Sequence, residues 1–431
     1  MRSDDSSGHR PPAGRPSAAT APTGAAPPPA ALRWPAMPVL RRFAVVLLVL
    51  AAVVALPACG RDEGDLAVTP TVGVKGDEEK AAEDLGFPIV ATKNTTRIGG
   101  ADSVANAAAA ARAVYTGATR VNRPRAVVVA DQRDWRVGLA AAVLMGPPLR
   151  APLLYSDGDD LPPASRDALA ALQPLGAKEI GGAQVIRVGA TPKAEGRTTD
   201  IRGENPIALA RSIDAFQSAA RKTTSDRVLV VSADSPAFAM PAAAWAAKSG
   251  DPILFVHRDS VPRDTREALA AHQQPKIYVL GPASVISKKV TDELRRLGTV
   301  QRIEGQTPEE NAIAFARFTD GSFGWGIVDP GHGLVFAGTR HPTDAAAAAP
   351  LSASGTYGPL LLIQSPERLS QPLRDFLLDI QPGYTRDPVR GVYNRAWIIG
   401  DEQTMSVATQ STLDALLEII PVNESGSTQP R

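Results

Sequence analysis

An α/β protein of three related units, each a parallel sheet with helices on both faces, packed about a pseudo-threefold axis, is what this sequence predicts. Two observations carry that expectation. One ordered set of motifs recurs three times, roughly every 100 residues. Within each unit, short β-branched runs alternate with alanine-rich helical stretches, the pattern of βαβ units joined by right-handed crossovers. Units of that size can hold a core of their own, and three alike pack most economically as a closed ring.

Each unit opens on Arg97-Ile98-Gly99-Gly100, Asp200-Ile201-Arg202-Gly203 or Arg302-Ile303-Glu304-Gly305, followed by an alanine-rich helical pattern. The runs Ala126-Val127-Val128-Val129, Val228-Leu229-Val230-Val231 and Leu334-Val335-Phe336-Ala337 come next. They are too short for helices and bounded by polar turns, hence buried strands. Helices of small residues follow over 138–144, 241–247 and 344–351. The third landmark is Pro152-Leu153-Leu154, Pro252-Ile253-Leu254 and Pro359-Leu360-Leu361. A helix start then recurs as Leu161-Pro162-Pro163, Val261-Pro262-Arg263 and Leu369-Ser370-Gln371-Pro372, where a proline in the first turn gives up no intrahelical hydrogen bond. A closing strand stands at Lys276-Ile277-Tyr278-Val279-Leu280-Gly281 and Arg395-Ala396-Trp397-Ile398-Ile399-Gly400. Its counterpart near Val185-Ile186-Arg187-Val188-Gly189 is blurred. The units are placed at 93–196, 197–299 and 300–420, with a tail over 421–431.

The N-terminal part reads as an address. Residues 1–36 are rich in Pro, Ala, Ser, Gly and Arg without a hydrophobic period, so disorder is expected. Met37 stands where a compact signal peptide would start, which leaves an over-extended start and a real cytoplasmic extension as the two readings. Arg41 and Arg42 precede an apolar stretch, 43–55, too short for a permanent span, so 37–58 is read as a cleaved signal. Leu56-Pro57-Ala58-Cys59 resembles the lipobox of bacterial lipoproteins, which implies a lipid, diacylglycerol with palmitate-type chains, on Cys59. An ordinary secretory signal with an accidental cysteine, or a buried apolar helix, is the alternative. Residues 59–92 are acidic and polar and are expected to form a flexible tether.

Composition excludes several classes. Cys59 is the single cysteine, so neither an intramolecular disulfide framework nor a thiolate metal site is available. With 46 basic and 45 acidic residues the formal charge is +1, and no global field recruits nucleic acid. Aromatic residues make up 5%, leaving few rings as platforms for neutral sugars, and Trp245 and Trp397 are read as core.

In the order and spacing of these motifs the chain resembles the cell wall binding repeat type 2 family, over about 93 to 420. The resemblance implies Toprim-like units arranged as a trimer within one chain, and noncovalent attachment to anionic wall polymers. It also implies a groove lined by Pro152, Leu153, Leu154, Pro252, Ile253, Leu254, Pro359, Leu360 and Leu361. The chain departs from the family's Asp-Arg-Tyr after the opening motif, with Asp102-Ser103-Val104 and Asn205-Pro206-Ile207 in its place. Val137 and Met240 stand where the third unit has Asp344.

Arg97, Arg202 and Arg302, with Lys288 and Lys289, can form an anion-binding rim, because guanidinium groups pair well with phosphate or carboxylate oxygens; solvated surface charge is the other reading. Asp157-Gly158-Asp159-Asp160 has the oxygens of a magnesium site, but the other units carry His257-Arg258-Asp259-Ser260 and Gln364-Ser365-Pro366-Glu367 there, so a polar turn is expected. His332 and His341 have no metal-ligand spacing, and no nucleophile elbow or phosphate loop is present. No catalytic activity, cofactor or metal is therefore expected. The sequence points to a lipid-anchored protein on the extracytoplasmic face of the membrane that binds a wall polymer. A small-molecule-binding lipoprotein for transport or sensing and a scaffold for protein partners are the rival readings.

Overall fold

The structure, a computed structural model, describes residues 89–355 and 358–422. The expected signal, Cys59 and most of the tether lie outside the described residues.

In chain order, β1 (Ile89–Ala91) and β2 (Thr95–Ile98) form an antiparallel pair, with Val90 opposite Arg97. Thus the last residues of the stretch expected as tether form a strand: an apolar triplet this close to a second extended run pairs with it. Next come β3 (Val127–Asp131), β4 (Leu153–Ser156), β5 (Val185–Val188) and β6 (Thr198–Ile201), a wholly parallel sheet in the order β4-β3-β5-β6. The blurred strand of the first unit is β5. A second parallel sheet repeats that order as β8-β7-β9-β10, from β7 (Arg227–Ser232), β8 (Ile253–Val256), β9 (Lys276–Leu280) and β10 (Thr299–Ile303). After β11 (Gly333–Gly338) and β12 (Leu360–Ile363), the short β13 (Gly383–Tyr384) pairs with β15 (Ile420–Pro421) outside the main sheet. The third main sheet is completed by β14 (Arg395–Ile399) and, from the far end of the chain, β2 and β1, in the order β12-β11-β14-β2-β1.

Strands β6, β10 and β2 hold the same place in the three sheets, and each carries an opening motif. Ile201 pairs with Val188, Ile303 with Leu280 and Ile98 with Ile399. The N–H groups of Gly189, Gly281 and Gly400 donate to those isoleucine carbonyls at 2.9, 2.9 and 3.0 Å. Each opening strand is thus built into the sheet of the preceding unit, and β2 closes the last sheet with the first segment of the fold. Sequence boundaries at 93, 197 and 300 put these strands at the head of their own units; strand partners are set by long-range closure rather than local pattern.

From each opening strand the chain crosses to the next sheet through a helix. Helices Ser103–Val114, Pro206–Arg221 and Pro308–Arg317 pack beside β4, β8 and β12 respectively. Their starts are capped locally: Asp102 accepts from Ala105 N at 2.8 Å, and Asn205 from Ile207 N and Ala208 N at 3.0 Å. Thr307 and Glu310 form a reciprocal capping box. Asp102, which keeps the acidic residue of the Asp-Arg-Tyr pattern, and Asn205, which replaces it, therefore act as helix caps.

The expected small-residue helices are Trp135–Ala141 with its continuation Ala142–Met145, then Pro241–Ser249, and Asp344–Ala353. The third packs on the second, and the second on Ala142–Met145. Ala242, Ala243, Ala244 and Ala348 are fully buried, and a Cβ on Gly146 would stand 2.6 Å from Gly250 Cα. Small side chains are what such backbone approach requires. Trp245 is buried against Phe323 and Trp325, with ring centroids 4.8 and 5.4 Å apart, whereas Trp397 is only half-buried.

The units differ in their last crossover. Between β9 and β10 lies the helix Lys288–Leu294, and after β14 the helix Val407–Leu417. Between β5 and β6, residues 189–197 form a short connection without a helix.

Candidate functional site

Pro152, Leu153, Leu154, Pro252, Ile253, Leu254, Pro359, Leu360 and Leu361 are all buried, and none of the six aliphatic side chains exposes more than 1% of its surface. The carbonyls of Pro152, Pro252 and Pro359 accept from Val128, Leu229 and Val335 at 2.9, 2.9 and 3.0 Å. Proline at a strand's threshold gives up no ladder donor, and the following aliphatic residues form the buried strand itself. The groove role expected of these nine residues is corrected on this ground: the motif builds the sheet, and its side chains offer a ligand no surface.

The three arginines of the opening motifs separate. Arg97 is buried and donates through Nε to Gln410 Oε1 at 3.0 Å, and through its terminal nitrogens to the carbonyls of Gly400, Asp401 and Met405. Arg302 donates to the carbonyl of Gly281 and, at 2.8 Å, to that of Ile286. Burial lowers the pKa of both guanidinium groups from the ordinary arginine value. These two clamp the turn after a closing strand and do not form a rim. Arg202 is exposed over 83% of its side chain and touches Asp200 Oδ2 at 3.1 Å.

Register explains the difference, because the residue in the place of Arg97 and Arg302 is Asp200, opposite Arg187 on β5. Arg187 makes two bonds to the Asp200 carboxylate at 2.8 and 2.7 Å, and one at 3.3 Å to Thr191 O. Arg187, ahead of the smaller contribution of Arg202, holds Asp200 below the usual carboxylate range. The guanidinium has moved one strand across and acquired a carboxylate. A cavity of about 360 Å³ lined by Arg187, Thr191, Asp200 and Arg202 stands there.

Lys288 and Lys289 are exposed, Lys288 bridging Asp292 at 2.7 Å along one helix face. In the loop 157–160 a bridge joins Asp157 to Asp160, and Gly158 N donates to Asp131 at 3.3 Å; the same turn recurs at His257 and Ser260 and at Ser365 and Arg368. His332 bonds Asp329 at 3.1 Å. Among the described residues no three His, Cys, Asp or Glu side chains stand close enough to hold a metal ion, and no helix is long and apolar enough to cross a membrane.

A basic groove lies between the first and second units. It has a volume of about 700 Å³ and is lined by Pro147, Pro148, Lys178, Glu179, Arg221 and Lys222. Glu179 is engaged by Arg125 at 3.1 Å, and Arg221 is fixed on Gly250 O at 2.7 Å, while Lys178 and Lys222 face solvent. Sequence reasoning missed these residues. They come from separate turns, and the only local signal is the Arg221-Lys222 pair ending an alanine-rich helix.

Residues 201–291 match the family Cell wall binding domain 2 (CWB2). The Amidase enhancer of Bacillus subtilis (strain 168) is 26% identical over 212 residues, 48% of this chain and 28% of that protein. Two solved structures share the fold. Cwp8 from Clostridium difficile has a TM-score of 0.56 at 18% identity, covering 76% of this chain and 52% of that one. Cwp6 from the same organism has a TM-score of 0.60 at 17% identity, covering 77% and 51%. The chain thus corresponds to only part of each relative's length. Residues 201–291 of this chain therefore carry a Cell wall binding domain 2, within the run of motifs that recurs three times along the sequence.

Proposed function

We propose that this protein binds an anionic polymer of the cell wall noncovalently, without catalysis, through three Toprim-like units set about a pseudo-threefold axis. A lipid on Cys59 would hold it on the extracytoplasmic face of the membrane. The observation that carries the reading is the match of residues 201–291 to Cell wall binding domain 2, in a chain whose three main sheets share one strand order. The solved relatives of like fold support it at the level of architecture. Opening strands that stitch each unit to the next favour a rigid multi-unit surface, on which weak contacts along a repeating polymer add up by avidity.

The surface best suited to the polymer is the basic groove between the first two units. Arg221 is pre-positioned there by its bond to Gly250 O, and Lys178 and Lys222 project freely, so phosphate or carboxylate groups meet cations that need little reordering. The test is wall retention of the full-length protein with Lys178→Glu and Lys222→Glu. Both positions are exposed, so melting curves should be unchanged while retention at low salt falls at least tenfold. Full retention by the double variant would remove the groove from the account.

A further inference from the structure

The first unit lacks a helix that the other two possess, and the place it leaves is shaped to receive one. In the second unit, Lys288–Leu294 is seated by three contacts. Its N-cap, Ser287, donates its N–H to Arg258 O at 2.9 Å. Glu293 pairs with Arg266 at 3.0 Å, and the helix buries Val290 and Leu294. In the third unit, Ser406 N likewise donates to Pro366 O at 2.9 Å, and Val407–Leu417 buries Leu413 and Leu417. Each helix thus buries aliphatic residues one helical turn apart, Val290 and Leu294 in the one, Leu413 and Leu417 with Leu416 beside them in the other.

The receiving surface recurs in the first unit. Gly158 stands where Arg258 and Pro366 present their carbonyls, and Arg166 stands where Arg266 meets Glu293. Leu161 and Leu169 are the counterparts of Val261 and Leu269, and of Leu369 and Leu377. Those four are at most 6% exposed under their helices, whereas Leu161 and Leu169 are only half-buried. Arg166 bonds the Leu161 carbonyl at 2.8 Å. Between this surface and the connection 192–196 lies a cavity of about 840 Å³, lined by Asp159, Asp160, Leu161, Arg166, Leu169 and Lys193 among others.

We propose that this groove docks a short amphipathic helix of a partner protein, with two aliphatic residues one turn apart and an acidic residue beside the second. Charge placement fixes its direction. Asp159 and Asp160 lie at the end where the sister helices begin, matching the positive end of a helix dipole, and Arg166 lies where Glu293 sits near the helix's C-terminal end. The docking is separate from the wall-binding groove and does not depend on it.

The experiment uses this protein's own second-unit helix as the probe, a fluorescein-labelled peptide of residues 285–297. A seven-residue helix is marginal alone, so a lactam between the exposed Lys288 and Asp292 side chains holds the peptide helical. Titrating it with the full-length protein should give a saturable rise in anisotropy. Arg166→Glu, on an exposed side chain, should weaken binding at least tenfold with an unchanged melting curve, and Leu169→Asp should weaken it as much while lowering the melting temperature, because Leu169 also packs against the buried Ala168 and Leu172 cluster. A peptide carrying Glu293→Arg should regain binding to the Arg166→Glu protein. A second variant, with residues 189–197 replaced by 281–298, refills the place in cis and should abolish binding. No saturable binding, binding that survives both substitutions, or failure of the charge swap would overturn the proposal.

Discussion

Replacing each opening-motif arginine by methionine separates a structural from a surface role. Arg302 donates two hydrogen bonds to main-chain carbonyls, those of Gly281 and Ile286, with 19% of its side chain exposed. A bond from a charged donor is worth about 1.5–3 kcal/mol, and some is returned because the guanidinium no longer has to be drawn out of water. Methionine keeps the aliphatic stem and leaves both carbonyls unpaired, so Arg302→Met should destabilise the protein by about 3 kcal/mol. Arg97→Met removes bonds to Gln410, Gly400, Asp401 and Met405 and should cost at least as much. Arg202→Met, on an exposed side chain, should stay within about 0.5 kcal/mol of the parent. Urea unfolding of the full-length protein reads all three, with the midpoint shifting and the slope unchanged if only stability alters. The swap between Arg187 and Asp200 adds a control: Asp200→Arg alone sets its guanidinium opposite that of Arg187 across the strand pair, and Arg187→Val should restore much of the loss. Equal behaviour of the three methionine variants, or no rescue by Arg187→Val, would refute the assignment of these arginines to the clamp.

Two further predictions concern buried ionisable groups. His272 is buried with Nε2 2.8 Å from Asp214 Oδ2 and Nδ1 2.7 Å from Ser225 O, so both ring nitrogens face acceptors. Burial opposes its charge, but the Asp214 carboxylate and the Ser225 carbonyl outweigh this and raise its pKa above the ordinary histidine value. The folded state therefore holds the proton more tightly than the unfolded chain, so this stability is complete below about pH 6.5 and is lost as pH rises through the folded pKa. Thermal melts should fall in midpoint from about pH 6.5 upward, and His272→Gln should flatten that fall; an identical slope in the variant would contradict the ion pair. Asp344, 2% exposed, has its pKa raised by burial, against the favourable bonds from Asn106 and Ser103. The folded state thus holds this proton more tightly than the unfolded chain does, so ionising Asp344 costs stability as pH rises above the ordinary carboxylate range. Asp344→Asn keeps an acceptor for Asn106 and should raise the melting temperature at pH 7, with the gain shrinking as pH falls; a lower melting temperature would show that the charge itself is needed.

Much of this architecture was legible from residue pattern. The three Val- and Leu-rich runs became β3, β7 and β11, and the proline landmarks became the starts of β4, β8 and β12, because continuous apolar runs are what strands buried on both faces require. The closure was not legible. Nothing local in Thr95-Thr96-Arg97-Ile98 says that its partner is Ala396-Trp397-Ile398-Ile399, some 300 residues away in sequence. Arg97 and Arg302 hold equivalent places in sequence and in the sheet, whereas Arg202 lies two residues beyond Asp200, which holds that place in its unit, and only strand register reveals Arg187 as its partner. The proline motif recurs for the geometry of the sheet, and repetition alone could not distinguish that from a shared ligand contact. The faintness of the first unit's closing strand in sequence had a physical cause: the helix that follows its counterparts is missing, and with it half of the pattern by which β5 would have been recognised.

The most direct test of wall-polymer binding is cosedimentation of the full-length protein with purified cell walls, before and after chemical removal of their anionic polymers, over a series of salt concentrations. Binding that is strong at low salt, weakens as salt rises and is lost on stripped walls is the predicted result, since contacts to exposed cations are screened within a Debye length of about 10 Å at 0.1 M salt. Equal binding to stripped walls at every salt concentration, or no binding to either preparation, would contradict it.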